Sequence, residues 1–283
     1  MSISTPSRAL RISSNISCPV RAMRRGNPST RHGSGGTDIH MTFGGRTAVL
    51  ALDTCAGATS AAIGRHGEVV ARVFLPDARA AAERLAPLVK GLMAEAGVAP
   101  AELAAVAVTR GPGTFTGVRI GLGFARGLAL AAGCPVLGMT TLELLAAGAA
   151  KDVAAADARG REMLAVIDAR RGEVYVQRIA ADGSPCEPAA VTPETAAADL
   201  VARPALAVGA GARLLRPLLD AHGLADLVRD DLPHGHGQPD AADLIGLAER
   251  HLAAGQAGGT PPVPLYLRAP DALPPAPSGI ETP

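Results

Sequence analysis

Short apolar runs and one helical stripe alternate through the first half of the chain. Apolar residues with strand character occupy 47–53, 58–64 and 68–74, and the Gly67 turn between the last two favours a hairpin. Residues 79–96 repeat apolar side chains at helical spacing, namely Leu85, Leu88, Val89, Leu92 and Met93. This part of the chain is therefore predicted to fold as three antiparallel strands followed by a helix.

The alternation of strands and helices continues beyond this helix. A strand is predicted over 104–109, a helix over roughly 116–132 and a short strand over 135–138. The resulting order β-β-β-α-β-α-β is similar to the half-unit of the actin-like superfamily, whose sheet resembles that of ribonuclease H. This similarity concerns the fold and says little about function by itself.

A second and shorter series of elements follows the first. Its strands and helices are predicted over 162–168, 173–179, 193–202, 205–208, 211–222 and 240–254. The predicted fold class is therefore α/β, a duplicated actin-like and ribonuclease-H-like fold with a reduced second lobe. Four parts are predicted: an extension over 1–44 that is disordered or reflects a wrongly assigned start codon, a first lobe over 45–140, a second lobe over 141–270, and a disordered Pro-rich tail over 271–283.

Charge is distributed unevenly along the chain. Residues 1–40 hold six of the 27 basic side chains and one of the 26 acidic ones, which leaves 21 basic and 25 acidic side chains and a net charge of −4. A mildly acidic body is a poor polyanion binder, because phosphate binding depends on clustered Lys and Arg. The Ser- and Arg-rich segment 1–40 leaves a targeting peptide and a basic interaction arm as alternatives to a disordered extension.

Composition narrows the class of protein further. Apolar residues make up 48% of the chain and aromatic residues only 2%, so the core must consist mainly of Ala, Val, Leu and Ile. The four cysteines are scattered and show no paired spacing for zinc or redox chemistry. No apolar run reaches the ~18 residues of a membrane span. A soluble, cytoplasmic protein without a membrane partner is predicted.

A glycine-rich segment, TRGPGTFTGVRIGLGFARGL at 109–128, joins a predicted strand to a predicted helix. Gly111, Gly113 and Gly117 could cradle an anion, since a helix N-terminus offers unpaired N–H groups and the positive end of the helix dipole. A glycine-rich turn alone is a weak indication, and no Lys of the Walker type follows it. The anion site is therefore one of two interpretations of this segment.

The second interpretation concerns the helix itself, where each glycine costs ~1 kcal/mol relative to Ala. Gly117, Gly121 and Ala125 form one face of small residues, and Gly123 and Gly127 form another. Such faces allow another backbone to approach closely. Packing on this chain's own sheet and a helix–helix interface with a partner are both open, and the two faces could serve one contact each.

Four ordered segments carry a resemblance to a known family. They are LALDTCAGATSAAI at 50–63, GPGTFTGVRIG at 111–121, VIDARRGEVYVQ at 166–177 and PLYLR at 264–268. In order and spacing these segments resemble the bacterial tRNA threonylcarbamoyladenosine biosynthesis family TsaB, a non-catalytic paralogue of TsaD among the glycoprotease-like proteins. The resemblance covers about 47–270, which is nearly the whole body of the chain.

The resemblance implies an accessory subunit without catalytic residues, cofactor or metal of its own. It implies docking to a TsaD-type subunit, which places threonylcarbamoyl on the adenosine 3′ of the anticodon in ANN-decoding tRNAs, with a TsaE-type ATPase in the full assembly. It also implies a homodimer through the same helical surface, and contact with tRNA only through the partner.

Two sets of candidate site residues follow from the motifs and the resemblance. The partner interface is expected at Leu85, Leu88, Val89, Leu92, Gly117, Val118, Gly121, Phe124, Ala125 and Leu128. A position close to an anion or nucleotide is expected for Asp53, Gly111, Gly113, Thr114 and Arg119.

Two enzymatic roles are alternatives to the accessory role. A metallopeptidase or a TsaD-type transferase needs two His at i and i+4 on the first-lobe helix to hold a metal, and 77–96 contains no His. A stand-alone nucleotide-dependent phosphotransferase of the actin-like fold needs a complete second lobe with a phosphate-binding motif. The sequence shows neither, so a protein that is not an enzyme by itself is predicted.

Overall fold

The computed structural model describes five stretches of the chain. They cover residues 45–77, 81–153, 162–229, 238–257 and 260–268. The predicted extension over 1–44 and the predicted tail over 271–283 lie outside these residues.

The first lobe contains one five-stranded sheet and two helices. Its elements are β1 (Ala48–Asp53), β2 (Thr59–Arg65), β3 (Glu68–Leu75), α1 (Ala81–Glu95), β4 (Leu103–Thr109), α2 (Phe115–Ala132) and β5 (Val136–Met139). The strand order is β3-β2-β1-β4-β5, with the first three strands antiparallel and β1, β4 and β5 parallel. Both helices pack on one face of this sheet.

The second lobe repeats the topology of the first with shorter elements. They are α3 (Thr141–Asp152), β6 (Met163–Arg170), β7 (Glu173–Ile179), β8 (Ala189–Val191), α4 (Pro193–Ala202), β9 (Leu206–Val208), α5 (Arg216–Asp220), β10 (Val228–Arg229) and α6 (Leu244–Ala253). Read from the other edge, the order of this sheet is β8-β7-β6-β9-β10. It corresponds strand for strand to the first sheet, both in spatial order and in strand direction. The duplicated α/β fold with a reduced second lobe is confirmed, since α5 has 5 residues where α2 has 18.

Several elements differ from the sequence prediction. Helix α3 was not predicted, although Thr140 and Glu143 form a capping box at its start. Strands β8 and β10 have only three and two residues, too few for an alternation to show. The helix predicted over 211–222 is a 3-10 turn followed by α5, and 3-10 turns also precede β4, β10 and α6.

Helix α6 crosses from the second lobe to the first. Helix α6 lies in the segment predicted as second lobe, yet its side chains Leu244, Ile245, Ala248 and Leu252 pack against the first sheet. They cover the face of β1 and β4 that α1 and α2 leave free. Helix α3 covers the second sheet through Leu142, Ala146 and Ala149. Packing of α6 therefore completes the core of the first lobe. The lobe boundaries at residues 140 and 270 remain predictions.

Helix α2 meets the length and composition of a membrane span, with 18 residues and a mean hydropathy of 1.2. This differs from the expectation that no apolar run is long enough. The structure uses this apolar composition for packing, because Val118, Leu122, Ala125 and Ala129 are buried against the first sheet.

Candidate functional site

The glycine-rich turn lies against the carboxyl end of β1. A Cβ atom on Gly113 would collide with the carbonyl oxygen of Cys55, and one on Gly117 would collide with that of Thr54. A Cβ on Gly121 would lie 2.6 Å from Thr54 Oγ1. These glycines are therefore required for the close approach of the turn and of α2 to residues 54 and 55.

Hydrogen bonds hold this close approach. The backbone N–H of Thr114 donates to Cys55 O at 2.8 Å, and Thr54 Oγ1 donates to Gly117 O at 2.6 Å. The Thr114 side chain caps α2 by accepting from Gly117 N at 3.1 Å. The N–H groups of Thr114 and Gly117, which an anion at this turn would need, thus already donate to oxygen atoms of the protein. This favours the packing interpretation. Anion binding by this turn stays a prediction.

Asp53 is fully buried at the end of β1. Its Oδ1 accepts from Thr109 Oγ1 at 2.5 Å and from Cys55 N at 3.3 Å, while Oδ2 has no hydrogen-bond partner among the described residues. Burial raises the pKa of Asp53 to about 6, against an ordinary value of 3.8. Burial likewise raises the pKa of Cys55 to about 12, so this thiol stays protonated and is a poor nucleophile at neutral pH.

Most of the predicted interface residues belong to this chain's own core, which corrects the predicted contact surface. The seven buried ones are Leu85, Val89, Leu92, Gly117, Val118, Gly121 and Ala125. The apolar stripes of α1 and α2 cover the first sheet, so these residues do not face outward. The remaining three, Leu88, Phe124 and Leu128, are partly buried at the edge of the same core.

The opposite face of α2 is uncovered within the described part of the chain. A Cβ atom on Gly123 or Gly127 would meet no atom within 4 Å. Leu130, one turn further on, is 85% exposed. The two small-residue faces of α2 therefore have different surroundings, one against the sheet and the other open to a partner.

An aromatic cluster lies at the N-terminal end of this open face. The rings of Phe115 and Tyr266 stack with centroids 5.5 Å apart, and both residues remain about half exposed. The Arg119 guanidinium lies 3.5 Å from the centre of the Phe115 ring, and its Nε donates to Tyr266 OH at 3.1 Å. Arg119 thus lies apart from Asp53 and the buried turn, although the sequence grouped them.

The segment 260–268, which contains the PLYLR motif, runs beside α2. Leu265 N donates to Arg110 O at 2.7 Å, and Arg126 donates to Pro262 O. A Cβ on Gly111, whose φ is +108°, would lie 2.7 Å from Leu265 O. Arg268 pairs with Glu173 in the second lobe. The motif was visible in the sequence, but its position beside α2 depends on contacts between residues far apart in the chain.

Metal-ligating side chains and cavities are the remaining features that bear on ligand binding. The described residues contain no group of three or more His, Cys, Asp or Glu side chains that could hold a metal ion. A cavity of about 150 Å³ lies between α3, β6 and α6, with Ala146, Met163, Leu247 and His251 in its lining. Two larger cavities, of about 610 and 370 Å³, lie beside the segment 260–263, with Arg126, Leu130 and Val263 in the lining of the first, next to the C-terminal part of α2, and Arg110, Gly138 and Pro262 in that of the second.

Comparison with known proteins places the chain in a family. The family model for TsaD, the tRNA N6-adenosine threonylcarbamoyltransferase, matches residues 68–211. The TsaB protein of Escherichia coli is 42% identical over 127 residues, which cover 45% of this chain and 52% of that protein. An uncharacterised protein of Mycobacterium bovis is 39% identical over 80% of this chain and 94% of its own length.

A solved structure agrees with these sequence matches. It is an uncharacterised protein of Pseudomonas aeruginosa described as similar to the peptidase YeaZ, with a TM-score of 0.62 and 32% identity over 78% of this chain and 100% of its own. The match to the Escherichia coli TsaB protein spans only about half of that protein's length. The chain belongs to the TsaB family of tRNA threonylcarbamoyladenosine biosynthesis proteins, which is related to the TsaD transferases.

Proposed function

We propose that this chain is a non-catalytic subunit of the complex that installs threonylcarbamoyl on the adenosine 3′ of the anticodon in ANN-decoding tRNAs. It acts by docking to a TsaD-type catalytic paralogue, with a TsaE-type ATPase in the full assembly. The complex works in the cytoplasm, and this subunit reaches tRNA through its partner. A homodimer competes for the same helical surface.

The open face of α2 is the observation that carries the proposal. Glycine lowers helix stability by about 1 kcal/mol relative to Ala, and neither Gly123 nor Gly127 contacts anything in the described chain that would exclude a side chain. Leu130 exposes a large apolar side chain on the same helix. Small residues beside an exposed apolar side chain suit close packing of a partner helix, with the partly buried Leu88, Phe124 and Leu128 at its edge.

The residues of α1 do not fit a divalent metal. A TsaD-type metal site would need two imidazoles one turn apart on this helix, and 77–96 contains no His. We therefore assign no reaction step to this chain. The metal and the transfer chemistry belong to the TsaD-type subunit in this proposal.

The proposal is tested by light scattering across a size-exclusion peak. The chain is run alone, with its TsaD-type paralogue, and with that paralogue after a metal chelator has been added. A one-to-one complex that survives chelation is the expected result. Absence of a complex, together with ATP turnover by this chain alone, would overturn the proposal and favour the stand-alone phosphotransferase.

Matched variants of α2 separate docking from folding. Gly123→Leu should abolish the complex while leaving the free energy of unfolding unchanged or higher, because Leu is the better helix former. Gly123→Ala is the control, since it gains the same helix propensity with little bulk. Gly121→Leu should instead lower the stability by about 1–3 kcal/mol, because its side chain would overlap Thr54. A Gly123→Leu protein that still binds the paralogue would exclude this face.

A further inference from the structure

The open face of α2 and the segment 260–268 form one continuous surface, which we name the α2–tail face. Its outward members are Phe115, Arg119, Gly123, Arg126, Gly127, Leu130, Val263 and Tyr266. Of the eight large apolar side chains that the described residues expose, four lie on this face, namely Phe115, Leu130, Val263 and Tyr266. Aromatic and Arg side chains around an apolar centre are typical of protein–protein interfaces.

Among the described residues, the charged side chains of this face have one sign. Residues 103–142 and 260–268 contain four Arg and no Asp or Glu, in a chain whose remainder beyond residue 40 is net acidic. Arg268 is neutralised by Glu173. The partners of Arg119 and Arg126 are a hydroxyl group, an aromatic ring and a backbone carbonyl, which are all neutral. The α2–tail face therefore retains positive charge at its exposed Arg side chains.

A second copy of this chain would meet this face with charges of the same sign, which weakens a homodimer relative to a complex with an acidic partner. In a two-fold dimer the same patch meets itself, so the Arg side chains of one copy would approach those of the other. Like charges brought together at an interface are unfavourable and select against the wrong partner. Helix α1 adds no net charge that would compensate, because it exposes Glu83 and Glu95 together with Arg84 and Lys90.

We propose that the α2–tail face selects a carboxylate-bearing surface of the TsaD-type subunit over a second copy of this chain, and that the stacked Tyr266 makes the tail part of this contact. The inference rests on the proposed function and deepens it by stating the chemistry of the docking surface. Carboxylates of the partner pair with Arg119 and Arg126, while the apolar centre between them packs against the partner.

The test compares the dissociation constant of the complex at 50 and 500 mM NaCl. At 500 mM NaCl the Debye length falls to a few ångströms, so interactions between exposed charges are largely screened. We therefore expect binding to the paralogue to weaken roughly tenfold, because attraction between opposite charges is lost, and self-association to strengthen, because repulsion between like charges is lost. Arg126→Glu should weaken the complex by roughly tenfold or more, and Arg126→Gln by less, since Gln removes the charge without reversing it. Arg213→Glu, at an exposed Arg of the second lobe, is the matched control and should leave binding unchanged.

Tyr266→Ala tests the contribution of the tail and should weaken the complex by roughly tenfold, the scale of one buried aromatic anchor. Salt-independent binding, or equal binding by Arg126→Glu and Arg213→Glu, would overturn the inference. So would binding of a single-stranded RNA oligonucleotide that Arg126→Glu abolishes while the paralogue still binds. If Gly123→Leu blocks the complex but neither salt nor Tyr266→Ala affects it, the proposed function stands and this inference falls.

Discussion

At the scale of single residues, two glycines of α2 lower helix stability by the same amount but differ in what surrounds them. Gly121 lies against Thr54, so the shape of this chain's own core requires it. Gly123 has open space where a side chain would lie, so the described core places no such requirement on it. Glycine at both positions lowers helix propensity equally. The contrast therefore separates a residue needed for folding from one that is free to serve a surface.

Asp53 provides a residue-scale prediction about pH. Its folded-state pKa of about 6 lies above the ordinary value of 3.8 because burial disfavours the carboxylate. Below pH 3.8 the acid is protonated in the folded and unfolded states, so it has no effect on stability. Between pH 3.8 and about 6 the unfolded chain loses this proton first, and stability falls. Above pH 6 the loss is constant at about 3 kcal/mol.

Urea unfolding of Asp53→Asn and the natural protein at pH 4 and pH 7 measures this effect. An amide keeps an oxygen that can accept from Thr109 and Cys55, but it has no charge to bury. We expect the variant to gain stability relative to the natural protein as the pH rises, by up to about 3 kcal/mol. A difference that stays the same at both pH values would show that Asp53 does not titrate in this range.

At the scale of elements, Arg178 shows how alternation along a strand can place a charge in a core. Val174 and Val176 face the core of the second lobe, and Arg178 continues their side of β7. Its side chain is fully buried and forms ion pairs with Asp199 of α4 and with Glu162, where Nη1 lies 2.8 Å from Oε2. Arg178 therefore ties β7 to α4 in a lobe where three of the five strands, β8, β9 and β10, have only two or three residues.

Replacing Arg178 should destabilise the protein more than replacing an exposed neighbour. Arg178→Ala leaves Asp199 and Glu162 without their buried partner, which costs about 3–5 kcal/mol. Arg203→Ala is the control, because Arg203 also pairs with Glu162 but is 43% exposed, and such pairs contribute about 0–1 kcal/mol. Urea unfolding gives the two free energies of unfolding. Equal losses would mean that the buried network adds nothing beyond a surface pair.

The elements that sequence could predict are those whose own residues determine them. The apolar stripe of α1 and the strand patterns of β1 to β3 are local, and the structure confirms them. Helix α3 was also predictable from its capping box at Thr140 and Glu143. Leu85 and Val118 were wrongly predicted to lie at a partner interface. An apolar stripe shows that a helix face is covered, but the same pattern results whether the chain's own sheet or a partner covers it. The place of Tyr266 beside Phe115 depends on long-range packing.

At the scale of the whole molecule, the two lobes are joined through α3 and α6. Helix α6 returns to cover the first sheet, and Ala241 N just before it donates to Ser60 Oγ of β2 at 2.9 Å. Lys151 of α3 pairs with Asp243 at 2.5 Å at the start of α6. Because α6 of the second lobe completes the core of the first lobe, we expect the described body to unfold in one cooperative transition.

A double-mutant cycle between Gly64 of β2 and Ile245 of α6 tests this coupling between distant parts of the sequence. A Cβ on Gly64 would collide with Ile245 Cγ2 and lie 2.9 Å from Cδ1, so Gly64→Ala should cost about 1–3 kcal/mol through overpacking. Ile245→Ala leaves a cavity in the core between α6 and the first sheet and should cost about 2–5 kcal/mol.

The double variant decides whether α6 is an integral part of the first lobe. The methyl group that Gly64→Ala adds would fill part of the space that Ile245 vacates, so the combined loss should be smaller than the sum of the single losses by about 1 kcal/mol or more. Urea unfolding followed by circular dichroism gives all four free energies of unfolding. Val201→Ala, at an exposed position of α4 in the second lobe, combined with Ile245→Ala is the control and should be additive. Additive losses for the Gly64 and Ile245 pair would place α6 away from β2, and the first sheet would then lack its cover on that face.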